Sequence, residues 1–254
     1  MKKTTAIIPT MLKNINVLTK LIENLVNDPS VEEIIIINNS DETIFFDKPK
    51  VRIISKGRNL YVNPSWNLGV SEAKTEYVTL INDDIIIPNN FCCDVLDKMD
   101  EKSGVIGIDS RYVKKAGDED SEQNILSRLS DNKNEIILTP VSYRTKQFGI
   151  MMFFNKKIYT YIPEDLKIFF GDDFLIHNAK KAKKQNAIAG GKLVFHLGSL
   201  TSASFESESN KENAIYKQYF LPWYKRILYF YERDTHYVLN FLFFQFAFKK
   251  GDEF

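Results

Sequence analysis

The sequence predicts an α/β protein built on a mixed, mostly parallel sheet with helices on both faces. Three observations lead there. Short β-branched apolar runs recur through the first half of the chain, helix-period stretches alternate with them, and the apolar runs stop at polar clusters rather than at hairpin turns. In sheets of this kind a ligand sits beyond the carboxyl ends of the strands, so the polar clusters mark one functional edge.

Taken in order, residues 5–8 read as a buried strand closed by Pro9 and Thr10. Residues 14–26 follow as an amphipathic helix carrying Ile15, Leu18, Leu21, Ile22 and Leu25 on one face. Residues 31–37 form a second strand that stops at Asn38, Asn39, Ser40 and Asp41, and residues 51–54 a third. Residues 64–73 look helical with Asn63 as cap, and residues 77–81 form a strand that runs into Asn82, Asp83 and Asp84. Residues 105–109, 135–143, 147–154 and 192–196 read as further strands and 172–184 as a helix, while 114–135 is a charged surface excursion. From Asn210 the composition turns aromatic and helical, and residues 237–248 read as a packed or interfacial helix.

The 254 residues are 44% hydrophobic and 26% charged, enough to bury one core or two. With 34 basic and 33 acidic residues, nothing global draws the chain to nucleic acid. The only cysteines, Cys92 and Cys93, are adjacent, which suits neither a disulfide framework nor a zinc site of paired spacing. The amino-terminal apolar run ends at Pro9, short of a signal-peptide core, and no stretch reaches the roughly 20 apolar residues of a membrane span. A cytoplasmic location follows as the expectation, with membrane association through the aromatic tail as a variant of it.

Three features could carry chemistry. Asn82, Asp83 and Asp84 offer hard oxygen donors at a strand end, suited to a Mg²⁺ or Mn²⁺ ion that bridges a diphosphate, although acidic pairs in turns are common. Asp172 and Asp173 follow Gly171 and open a helix. Capping accounts for at least one of them, and the other is free to take a proton from an attacking hydroxyl. His196 ends a strand in VFHLGS, where a metal ligand and a hydrogen-bonded core-edge histidine are both reasonable, whereas His177 and His236 read as surface or packing residues. The lysines at 180, 181, 183 and 184 read as a solvated helix face, with an anionic acceptor or membrane surface as the alternative.

The order of these features, IIPT, IIIINNSDE, RNLYVNPSWNLGVSEAKTEYVTLINDD, FFGDDFLIHNAKKA and VFHLGS, resembles the GT-A glycosyltransferases of family 2, especially bacterial rhamnosyltransferase-like members. The likeness runs over about residues 4–202. It implies a GT-A domain over residues 1–205 and an aromatic-rich helical extension over 206–254. It also implies that Pro9 and Thr10 bracket the nucleotide, that Asn38 and Asp41 lie by the base and ribose, and that Asn59 and Asn67 lie near the ribose or diphosphate. Asn82 and Asp84 match the outer positions of the family's N-x-D element, which makes Asp84 the metal ligand, with Asp83 beside it on the donor. His196 matches a histidine that many members use as a further metal ligand. The family's Glu-Asp pair falls on Asp172 and Asp173, which points to Asp173 as catalytic base with Asp172 the alternative.

The implied activity is metal-dependent, inverting transfer of a hexose from a UDP-, dTDP- or GDP-sugar to a hydroxyl on a glycan, lipid-linked or protein acceptor, in glycan biosynthesis. The aromatic tail would mediate membrane contact or a homodimer. A sugar-phosphate nucleotidyltransferase would need a glycine-rich basic loop after the first strand, and IIPTMLKN has no glycine there. The non-enzyme alternative is an inactive nucleotide-sugar-binding module of the same fold that serves assembly.

Overall fold

The computed structural model describes residues 1–115, 134–198, 206–220, 228–233, 236–241 and 244–249. Three parallel strands, β1 (Thr4–Thr10), β2 (Val31–Asn38) and β3 (Val51–Ser55), lie side by side, and β4 (Tyr77–Ile81) joins β1 in parallel on its other edge. Helices α1 (Ile15–Asn27) and α2 (Val62–Glu72) make the crossovers. A two-residue strand, β5 (Ile85–Ile86), and helix α3 (Phe91–Lys98) come next, then β6 (Ser103–Ile108) and β7 (Val113–Lys115). Past residue 133 follow β8 (Ile137–Pro140), β9 (Met151–Asn155), helix α4 (Gly171–Lys181), β10 (Gln185–Gly190) and β11 (Val194–His196). Helix α5 (Glu206–Phe220) precedes three strands, β12 (Leu228–Arg233), β13 (His236–Phe241) and β14 (Phe244–Lys249).

Eight strands form the main sheet in the order β3-β2-β1-β4-β9-β6-β10-β8. Only β9 and β8 run against the rest. The sheet is therefore mixed and largely parallel, and the carboxyl ends of β1, β2, β4, β6 and β10 share one rim. Alternating residues feed two cores. Ala6, Ile8, Ile34 and Ile36 face α1 and α3, while Ile7, Ile35 and Ile37 pack on the side of α2 and α4. Each fully buried isoleucine contributes about 2–3 kcal/mol, and their β-branching favours the strand itself. Helix α2 approaches the sheet so closely that a Cβ on Gly69 would collide with the side chain of Ile7.

Several expected elements differ in the structure. Helix α2 begins at Val62, so Asn63 is no cap. It is buried in the first turn and donates to the Leu166 carbonyl at 3.1 Å and the Phe169 carbonyl at 2.9 Å. The strand expected over 147–154 starts only at Met151, because a 3₁₀ turn over Phe148–Ile150 occupies its first half. The extension expected to be helical is so in α5, but β12, β13 and β14 form an antiparallel sheet where helix was expected. Periodicity does not separate a short apolar strand from a helix, and the aromatic and β-branched content of HYVLNF and FQFAFK decides for strand. The surface excursion expected over 114–135 lies mostly outside the described residues. Among the described residues no helix is long and apolar enough to cross a membrane. Both cysteines are free, Cys92 buried and Cys93 half-buried.

Candidate active site

The rim is organised by a second, three-stranded sheet, β5-β11-β7. Antiparallel pairing of β5 with β11 sets His196 opposite Ile85, and the Leu197 amide donates to the Asp84 carbonyl at 3.0 Å. Asp84 Oδ2 therefore lies 3.2 Å from His196 Nε2 although the two residues are far apart in sequence. His196 is only 6% exposed, and neither Asp84 Oδ1 nor His196 Nε2 has a hydrogen-bond partner. The other ring nitrogen, Nδ1, is 3.0 Å from Gln147 Oε1. With that carboxamide oxygen accepting, Nδ1 carries the proton and the Nε2 lone pair faces a carboxylate. Such a pair repels unless a cation or proton lies between.

These two atoms fit a divalent cation. Neighbouring ligands about 2.1 Å from an octahedral Mg²⁺ stand about 3.0 Å apart, close to the separation found here. The Gln147 contact to Nδ1 is the kind of support that orients a metal-bound imidazole. Among the described residues no group of three His, Cys, Asp or Glu side chains converges on one point.

Thr10 and Asp83 complete this part of the rim. The Thr10 hydroxyl donates to Asp83 Oδ2 at 2.6 Å, which ties the end of β1 to the end of β4. Burial pushes the Asp83 carboxyl above its ordinary range, the Thr10 hydrogen bond opposes that, and Asp84 adds to it. Pro9 lies beside them in β1, and the backbone amide of Asn82 donates to the Ile150 carbonyl at 2.9 Å.

The second acidic pair opens α4. Asp172 Oδ1 accepts from the Asp173 amide at 2.9 Å inside the first turn, but the N-cap residue is Phe170, which makes no side-chain cap, so neither aspartate is the cap that was expected. Arg144 reaches both carboxylates, with Nε 2.9 Å from Asp173 Oδ2 and Nη1 3.6 Å from Asp172 Oδ2. Burial pushes Asp173 up to about 6, the neighbouring Asp172 adds to the rise, and Arg144 holds it down. Asp172 is likewise raised by burial and lowered by Arg144. Beside the pair opens a cavity of about 430 Å³ lined by Arg144, Asp173, His177, Lys180, Lys181 and Tyr216, among others.

One short segment joins the two halves. Gln147 supports His196, a Cβ on Gly149 would stand 2.6 Å from Asp172 Oδ2, and Ile150 accepts from the Asn82 amide. His196 and Asp172 thus both lie against the 147–150 segment. Gln147 itself has φ of 63°, a left-handed conformation that a non-glycine residue holds only at a cost of about 1 kcal/mol or more. Phe170, just before the acidic pair, has φ of 59°. Two buried polar side chains hold the turn between residues 166 and 171. Asn63 bonds it from α2, and Glu212 of α5, 4% exposed, accepts from the Ile168 amide at 3.1 Å and the Phe169 amide at 2.7 Å. Tyr216 of α5 stacks on Phe170 with ring centroids 5.1 Å apart, and His177 lies against Phe220 at 4.0 Å.

The remaining residues singled out in the sequence bond mainly within their own segments or to neighbouring backbone. Asn38 donates to the Glu42 carbonyl and accepts from Ser40, and Asp41 lies exposed in the turn so formed. Asn59 is exposed and accepts from the Tyr61 amide. Asn67 donates to the Ile162 carbonyl and accepts from the Ile162 amide and the Tyr159 hydroxyl, so its carboxamide serves the 159–162 segment. Arg144, Gln147 and Glu212 carried no sequence signal, and Asn63 stood out only as a helix cap. Each is a lone polar residue whose partner lies far along the chain.

A mixed sheet of this order, wrapped by helices and ending in an acidic rim, defines the GT-A class of glycosyltransferases. The chain belongs to glycosyl transferase family 2, whose sequence profile matches residues 5–177. No curated protein is similar to it in sequence at a significant level. Among solved structures, TarS of S. aureus superposes with a TM-score of 0.59 at 16% identity, covering 85% of this chain and 39% of TarS. GalNAc-T7 with UDP, GalNAc and Mn²⁺ gives 0.55 at 12% identity, covering 78% of this chain and 44% of that one. The mannosyltransferase PcManGT from Pyrobaculum calidifontis, in complex with GDP-Man and Mn²⁺, gives 0.56 at 12% identity, covering 85% and 63%. At these identities the likeness is one of fold, and the chain spans less than two thirds of each of these proteins.

Proposed function

We propose that the protein is a metal-dependent, inverting glycosyltransferase that moves a sugar from a nucleoside-diphosphate sugar to a hydroxyl acceptor in glycan synthesis. The observation that carries this reading is the Asp84–His196 contact, buried at the rim beside Thr10 and Asp83, in which neither Asp84 Oδ1 nor His196 Nε2 has a hydrogen-bond partner. Fold neighbours solved with UDP, UDP-GlcNAc and GDP-Man support the donor class. Asp84 and His196 would hold Mn²⁺ or Mg²⁺, which when bound neutralises charge on the leaving diphosphate. Pro9, Thr10, Asn82 and Asp83 line the donor side, with Asn38, Asp41 and Asn59 forming the wall by the base and ribose.

Asp173 takes the proton of the attacking hydroxyl, with Arg144 keeping the carboxylate ionised at neutral pH. The acceptor oxygen forms its bond to the anomeric carbon as the bond from that carbon to the diphosphate oxygen breaks. The electron pair leaves with the nucleoside diphosphate. With Asp173 as base on the attacking hydroxyl, a single displacement with inversion is the economical path, by the same geometric logic as in inverting hydrolases.

The test is a panel of nucleotide sugars assayed for Mn²⁺-dependent transfer or slow hydrolysis. Asp84→Ala should abolish metal-dependent donor binding, whereas Asp173→Asn should keep binding and lose turnover. Full turnover in both variants contradicts the assignment.

A further inference from the structure

The cavity beside Asp173 has a composition that the proposed chemistry does not require. Asp173, Ile176, His177, Lys180 and Lys181 stand at positions i, i+3, i+4, i+7 and i+8 of α4, so all of them fall on one helix face. The base lies at the amino-terminal end of that face, and Lys180 is two turns further on, about 10 Å along the axis. Tyr216 of α5 forms the opposite wall, and Tyr143, 74% exposed, stands at the mouth.

The charges are unequal along this space. At the base end, Arg144 answers both carboxylates. At the far end the two lysines meet no acid among the described lining residues. Lys181 Nζ lies over the Phe220 ring, 5.5 Å from its centroid, and Lys180 is exposed. Between them, His177 is lowered from its ordinary value first by burial and then by Lys181 and Lys180. Both lysines, though exposed, line the same cavity as the base.

Building on the glycosyl-transfer reading, we propose that this cavity is the acceptor site and selects an acceptor that carries a phosphate about 6–10 Å from the hydroxyl to be glycosylated. The phosphate sits between Lys180 and Lys181, and the hydroxyl reaches Asp173. A sugar or polyol phosphate fits this spacing, and about 430 Å³ accommodates one such unit.

The test compares two probes that differ only in the phosphate, glucose 6-phosphate and glucose, titrated calorimetrically into the full chain with UDP and Mn²⁺ present. The phosphate should bind about tenfold more tightly or better, equivalent to about 1.4 kcal/mol, with the advantage shrinking as salt rises. A Lys180→Ala/Lys181→Ala double variant should bring the two probes to near parity. An Asp84→Ala chain, whose donor side is disabled, should keep the phosphate advantage, which separates this cavity from the diphosphate site. Equal binding of the two probes by the unsubstituted chain, or a phosphate advantage that survives the double substitution, overturns the proposal. Failure of the glycosyl-transfer reading would show separately, as absent Mn²⁺-dependent binding of UDP.

Discussion

Replacing Arg144 with methionine isolates the electrostatics of the base. The guanidinium Nε lies 2.9 Å from Asp173 Oδ2, and its side chain is 45% exposed. A pair near 4 Å is worth about 1 kcal/mol in water and about 4 at the effective dielectric of a protein surface, so a half-exposed arginine contributes on the order of 1–2 kcal/mol. That corresponds to about one pH unit. Burial has already lifted Asp173 to about 6, and Arg144 acts against that rise, so removing it moves the carboxyl further up. A base works only when ionised. The rate of an enzyme with intact Arg144 should therefore climb with pH through about 6 and level off above it, and Arg144→Met should move that limb about one unit toward alkaline pH. The assay is donor turnover from pH 5 to 9 at saturating nucleotide sugar and Mn²⁺. The loss in the variant should be largest at acid pH and should narrow toward pH 9. A limb that stays in place, or moves toward acid, refutes this assignment of Arg144 and Asp173.

Two other substitutions probe the supports. Gln147→Asn tolerates the left-handed backbone at φ of 63° but falls short of His196, so Mn²⁺ affinity measured by titration should drop about 10–100-fold while the melting temperature holds. Glu212→Ala strips the acceptor from the amides of Ile168 and Phe169, which should destabilise the chain by about 2–4 kcal/mol in urea unfolding. Glu212→Gln, which retains one oxygen acceptor, should recover part of that loss and of the turnover that depends on the Asp172 and Asp173 turn.

The legible part of the site was the part whose residue types the chemistry demands. Asp83 and Asp84 stop an apolar strand, Asp172 and Asp173 open a helix after glycine, and His196 closes a strand, so each stood out against its local pattern. The central sheet was legible because Ile34, Ile35, Ile36 and Ile37 form an unbroken β-branched run of the kind that a strand covered on both faces buries. What brings the acids and histidine together was not legible. Strand β5 is two residues long, too short for any periodicity, yet its pairing with β11 sets Asp84 against His196. Arg144 and Gln147 lie in irregular backbone, and Asn63 and Glu212 are buried polar groups whose partners come from remote segments. Local sequence does not record such long-range closure. The carboxyl-terminal aromatics misled because a short apolar segment is compatible with either periodicity.

The central claim is that Asp84 and His196 hold one cation against the donor diphosphate. Pulsed electron paramagnetic resonance of Mn²⁺ bound to the protein with UDP tests it most directly. A ¹⁴N coupling from an imidazole should accompany ³¹P couplings from the nucleotide, and His196→Ala should remove the nitrogen signal while phosphorus remains. Mn²⁺ that shows phosphorus couplings but no nitrogen in the unsubstituted protein, or a nitrogen coupling that survives His196→Ala, contradicts the account.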